Sequence, residues 1–176
     1  MATLPIGNEL VIVQGISGNG YPAATTEQFS LTQITNFEGS TYFANSVSVT
    51  STTLITSSGM SVILQAAGVY VFDVYLSVTN GASGGLKLQF TGTATATTLS
   101  ADTWAYNTAT VAAQGNITAL SSNLLAYTGA VTTVNITGTI LAATTGTFAL
   151  SFSQNVSNAT ATTLNAGSNF WVDRLS

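Results

Sequence analysis

The chain has 176 residues, enough for one well-buried core and too few to require two. Charged residues make up 5% of it, against roughly 25% in an average soluble domain, and histidine and cysteine are absent. Six acids and two bases exclude nucleic-acid binding by counterion release and polybasic attraction to anionic lipid, and the missing residue types exclude a Ser-His triad, thiol chemistry and disulfides.

The first 38 residues differ in texture from the rest. They hold Pro5, Pro22, a Gly/Asn-rich stretch at 15–20 and three of the six acids, Glu9, Glu27 and Glu38. The opening residues lack a basic region followed by a long apolar run, so they do not read as a secretory signal. Residues 10–14 predict a short strand followed by a turn. Leu10, Val11, Ile12 and Val13 are four consecutive apolar residues, which a free arm would not leave in water. They are expected to dock by adding a strand to a sheet edge outside the segment. Thr25 and Gln28 have capping-box spacing and predict the start of a helix, with Phe29, Ile34 and Phe37 on its apolar side. The reading is an N-terminal arm over 1–38 and one domain over 39–176.

From Thr41 onward the apolar period is two. Tyr70, Phe72, Val74, Leu76 and Val78 share one face, as do Leu86, Leu88 and Phe90. Val134, Ile136 and Ile140 follow, then Phe148, Leu150 and Phe152, then Phe170 and Val172. The alternate positions are mostly Thr, Ser, Asn, Gln and Ala, the pattern of half-buried strands. Ser58-Gly59, Asn80-Gly81, Thr128-Gly129, Thr145-Gly146 and Ala166-Gly167 read as turns. The Thr/Ala run at 91–98 reads as a strand or an edge loop. The expected fold is all-β, an antiparallel sandwich or barrel. Its second faces and edges carry almost no charge, which predicts self-association; the alternative is a fold that closes its own edges.

The segment Ala67-Gly68-Val69-Tyr70-Val71-Phe72-Asp73-Val74-Tyr75 resembles the G-x-Y-x-F strand of C1q/TNF-like jelly rolls. The stretches 7–28, 80–98 and 153–175 resemble phage virion structural proteins. The resemblance implies a jelly-roll subunit, usually a homotrimer, that decorates a capsid or sits in a tail fibre. It implies as partners other copies of the chain and the major capsid protein, with no nucleic acid and no membrane, and a place on the capsid surface of the virion. The N-terminal segment departs from C1q/TNF domains, which lack it. The runner-up is a tail-fibre or receptor-binding module for host glycan; a glycan hydrolase is a third class.

Candidate chemistry is sparse. Asp73 is placed mid-strand, opposite in face to Tyr70 and Phe72; Asp102 is placed in a loop before Trp104; Asp173 alternates with Phe170 and Val172. Two of these could form a hydrolase pair, but pairing with Lys87 or Arg174, or plain exposure, is the expectation. Lys87 lies between Leu86 and Leu88 and reads as an ordinary outward residue. A metal would find only carboxylates and carbonyls, and no Asp-rich loop is present, so no metal, cofactor or catalytic residue is expected. Asn116, Asn135, Asn155 and Asn158 stand in sequons that the Asn/Thr/Ser content explains by chance. Gly84-Gly85 is a turn rather than a phosphate loop. Among the aromatics Tyr21, Tyr42, Phe43, Trp104, Tyr106, Tyr127 and Trp171, core or inter-subunit packing is expected for Trp171. Trp104 and Tyr106 share a strand face and are the expected contact surface.

Overall fold

The computed structural model describes residues 9–12, 27–30, 39–108 and 110–175. Internal contacts divide the chain into two units, 1–37 and 38–176. In the first, β1 (Glu9–Ile12) pairs antiparallel with β2 (Glu27–Ser30), Leu10 opposite Phe29 and Ile12 opposite Glu27. The helix expected to open at Thr25 is thus corrected, because Glu27 and Gln28 are strand residues. Capping spacing marks only a helix end, and a helix this short is marginal in water. An extended apolar segment at 10–12 supplies a backbone ladder instead. The pairing partner of Leu10, Val11 and Ile12 is their own segment; Val13 lies outside the described residues.

The second unit is all-β and antiparallel. Its strands are β3 (Gly39–Tyr42), β4 (Val47–Val49), β5 (Ile55–Leu64), β6 (Val69–Thr79), β7 (Leu86–Thr91), β8 (Ala96–Asn107), β9 (Thr110–Ile117), β10 (Asn123–Tyr127), β11 (Thr133–Ala142), β12 (Gly146–Ser153), β13 (Thr162–Leu164) and β14 (Asn169–Arg174). The larger sheet runs β3-β14-β6-β11-β8-β9, with β13 and β4 attached beside β6. The smaller runs β10-β7-β12-β5. With β4, β13, β8 and β9 set aside, eight strands remain. The larger sheet takes the first, eighth, third and sixth of these, and the smaller takes the second, seventh, fourth and fifth. That connectivity is a jelly roll. The β8–β9 hairpin is inserted between its fourth and fifth strands and extends the larger sheet beyond β11.

The inward faces carry the expected apolar residues. Phe72 and Phe170 from the larger sheet meet Phe90 and Phe148 from the smaller, and all four rings are fully buried. Phe72 packs edge-on against Phe90 at 5.1 Å and Phe148 at 5.3 Å between centroids. Such pairs add about 0.5–1.5 kcal/mol each beyond their burial. The Gly-x-Tyr-x-Phe pattern has a steric cause here. A Cβ on Gly68 would stand 2.6 Å from the Tyr70 ring, so glycine lets the ring fold back over the chain. The Tyr70 hydroxyl then accepts the Gln65 amide at 2.7 Å, the arrangement of a tyrosine corner.

Three expectations need correction. Ser58-Gly59 is not a turn; it lies inside β5, where the pairing with β12 shifts register between Ala149 and Ser151. A Cβ on Gly59 would meet the Phe43 ring at 3.5 Å, an ordinary packing distance, so the site does not demand glycine. The strand β12 is not half-buried. Its second face, Ala149, Ser151 and Ser153, is also buried, because β12 is central and these side chains are shorter than their neighbours. Asp102 is not in a loop but in the middle of β8. The 91–98 run divides, Thr91 ending β7 and Ala96 opening β8, with a loop between.

The lateral openings of the sandwich are covered by its own strands: β3 lies against β5, and β9 against β10. At the second seam a Cβ on Gly115 would strike the Leu124 carbonyl oxygen, so only glycine permits the approach. The fold therefore protects these edges without the lysines that usually blunt them.

Candidate ligand-binding face

Strand alternation turns one set of side chains of the larger sheet away from the core, and the pairing registers align them into rows. In one row Tyr42 of β3 stands opposite Asn169 of β14, and Asn169 opposite Tyr75 of β6. Tyr75 stands opposite Asn135 of β11, Asn135 opposite Trp104 of β8, and Trp104 opposite Gln114 of β9. Aromatic and amide side chains thus alternate across six strands. Tyr42 is 67% exposed and Tyr75 44% exposed, while Trp104 is half-buried. Neighbouring strands are about 4.8 Å apart, so successive aromatic positions are about 10 Å apart.

The adjacent row is acidic. Trp171 stands opposite Asp73, Asp73 opposite Thr137, Thr137 opposite Asp102, and Asp102 opposite Asn116. Asn116 Nδ2 donates to Asp102 Oδ1 at 2.7 Å and fixes that carboxylate. On the other side Tyr106 stands opposite Thr133, and Thr133 opposite Ser77. A groove of 460 Å³ runs over this surface, lined among others by Asp73, Tyr75, Trp104, Tyr106, Asn135 and Asn169. A second hollow of 290 Å³ is lined by Asp102, Trp104, Gln114 and Asn116. Trp104 lines both.

Polar groups on this face are unspent. Among the described residues, the side-chain amides of Asn135, Asn169 and Gln114 have no hydrogen-bond partner. Amides elsewhere serve the fold. Asn80 donates to the Gly129 carbonyl and accepts from Val131 N, and Gln154 donates to the Thr160 carbonyl and accepts from Asn158 N.

Charge is also one-sided. Asp73, Asp102 and Asp173 all lie on the larger sheet. Lys87 lies on the smaller sheet and donates to the Thr52 carbonyl at 3.0 Å, so it is not the partner of Asp73 or Asp173. The Arg174 guanidinium lies 5.9 Å from the Tyr70 ring centroid, within cation–π range. Among the described residues no three acidic side chains converge as metal ligands would. Asp73 and Asp102 are separated by one strand on an open face, with no enclosure to shut out water.

The structure brings Trp104 and Tyr106 to one outward face beside Tyr75 and Trp171. Trp171 is half-buried on that face and is not in the core. Leu10, Val11 and Ile12 belong to the first unit. Phe43 is core, and Tyr127 packs against it. Tyr75, Asn169 and Gln114 carry no motif in the sequence, and Asn135 stands out there only as a sequon. The signal was present for Tyr75, which alternates with buried Val74 and Leu76.

No protein-family model, curated protein or solved structure matches the chain.

Proposed function

We infer that the chain is a non-enzymatic structural subunit of a phage virion, a homotrimer that decorates and stabilises the capsid. The reading rests on the resemblance of its three sequence patches and is supported by the outer face of the smaller sheet. There Thr56 Oγ1 contacts Ser151 Oγ at 2.5 Å, and Ser151 Oγ contacts Thr91 Oγ1 at 2.6 Å. Ser151 is buried between the two threonines, Ile63 stands 50% exposed on the same face, and Lys87 is the one charged residue on these strands. A partner can cover such a surface without stripping water from an array of charges. Each Å² of apolar area buried contributes about 25 cal/mol, against an association cost of about 4–15 kcal/mol. Repetition over a shell adds avidity. The partners are other copies of the chain and the major capsid protein.

The test is native mass spectrometry of wild type and Ile63→Asp, followed by co-sedimentation with purified heads. The reading expects a trimer that binds heads and a variant impaired in assembly or binding. A stable monomer that ignores heads removes it. The receptor-binding alternative is favoured by one observation, the aromatic–amide row of the larger sheet.

A further inference from the structure

We propose that the outward face of β14, β6, β11 and β8 is a binding site for a neutral oligosaccharide, centred on Tyr75, Asn135 and Trp104. The inference rests on this face alone and does not require the virion reading.

The side chains match the two kinds of surface a sugar ring presents. The C–H face of a pyranose is apolar and stacks on exposed aromatic rings. Tyr75 and Trp104 offer such rings two strands apart, about 10 Å. That is close to the advance of two sugar units along an extended glycan. The ring hydroxyls are both donors and acceptors. Asn135 lies between the two aromatics, Asn169 and Gln114 lie beyond them, and each amide offers both a donor and an acceptor. Their hydrogen-bonding capacity is not used by the described residues. Asp73 lines the same groove, and Asn116 holds Asp102 on the far side of Trp104; both carboxylates accept from hydroxyl donors.

Charge argues against a second copy on this face. Packing it against protein would desolvate Asp73 and Asp102, and that burial is unfavourable without matching cations. The chain has two basic residues. Lys87 is on the other sheet, and Arg174 is folded against Tyr70. A polyol hydrogen-bonds to carboxylates without bringing charge and leaves their outer sides wet. A basic peptide would bind the carboxylates through charge and so depend on salt, whereas a neutral sugar would not.

Trp104 and Trp171, the two tryptophans of the chain, both lie on this face, so intrinsic fluorescence reports on it directly. The full-length protein is titrated with cellohexaose, mannohexaose and maltohexaose, and screened by affinity electrophoresis in gels containing amylose, galactomannan or mixed-linkage β-glucan. Binding of at least one probe is expected, with a shifted emission and little change between low and high salt. Trp104→Ala and Tyr75→Ala are each expected to weaken it about tenfold or more. Asn135→Ala reports on the amide row should Trp104→Ala melt early, and Val156→Ser, an exposed position outside the strands of this face, should bind as wild type. Three outcomes overturn the proposal. In one, no probe binds at millimolar concentration. In another, Trp104→Ala converts an oligomer to a monomer, which makes the face a self-interface. In the third, polylysine binds in a salt-sensitive manner and no sugar does, which makes it a site for basic protein.

Discussion

Gly138 stands directly opposite Phe72 in the pairing of β11 with β6, and the Phe72 ring fills the space that a side chain at 138 would need. A Cβ there would lie 2.5 Å from Phe72 Cζ and would also strike the Ser100 carbonyl oxygen. The gap in the apolar series Val134, Ile136, Gly138, Ile140 is therefore where a buried aromatic of the neighbouring strand enters.

Gly138→Ala should destabilise the domain by about 1–3 kcal/mol through overpacking. The loss should be smaller in a Phe72→Leu background, where the far end of the ring is gone, and unequal losses would appear as coupling in a double-mutant cycle. Urea midpoints of the four proteins measure it. Equal losses in both backgrounds would place the strain at the Ser100 carbonyl instead.

Phe72→Ala removes a ring that packs edge-on against both Phe90 and Phe148. A cost of about 3–5 kcal/mol is expected, the range for burying nothing where an aromatic stood. A denaturation midpoint that barely moves would show that the four rings do not hold the sheets together.

Thr103→Val should stabilise. Thr103 is 1% exposed and its hydroxyl oxygen is buried with no hydrogen-bond partner among the described residues. Replacing the hydroxyl with a methyl keeps the shape and removes an unmet polar group, for a gain of about 1 kcal/mol or more. A lower melting temperature would show that the hydroxyl is satisfied in solution, by water for example.

The jelly-roll strands were legible where their buried faces are built from large residues. The runs around Phe72, Leu88, Ile136, Leu150 and Phe170 could be read by alternation alone. The β8–β9 hairpin was not legible. Beyond Leu99 its inward positions on β8 are Ala101, Thr103 and Ala105, small or polar residues that make no strong apolar alternation with Asp102 and Trp104. That is why Asp102 read as a loop residue. Trp104 and Tyr106 were recognised as sharing a face because their spacing is local. Tyr75, Asn135 and Asn169 join them only through registers set by distant strands, which a linear sequence does not display. The turn at Ser58-Gly59 misled for a different reason, since this glycine lies within a strand, at the irregularity in its pairing with β12.

The proposed trimer should depend weakly on salt. With so few ionisable groups, screening has little to weaken. Sedimentation at low and high ionic strength should give the same mass at micromolar concentration. Dissociation at high salt would show that the Asp and Lys residues carry the contact.

Removal of residues 1–37 should leave a folded β domain, because contacts divide the chain at that point. Far-UV circular dichroism and a cooperative thermal transition check this. The virion reading adds that the truncated protein no longer binds heads. A truncated chain that fails to fold would make the segment integral to the sandwich.

The inserted β8–β9 hairpin also separates what can drift from what cannot. It joins the sheet at β11, outside the eight strands that enclose the phenylalanines. Ser100, Asp102, Trp104 and Tyr106 point away from the core, so substitutions there leave the ring cluster untouched. Diversification in a lineage of such proteins should concentrate on those four positions and their β9 neighbours Gln114 and Asn116. The smaller sheet, on the far side of the sandwich, would then keep the docking geometry proposed for it while the larger sheet changes its taste.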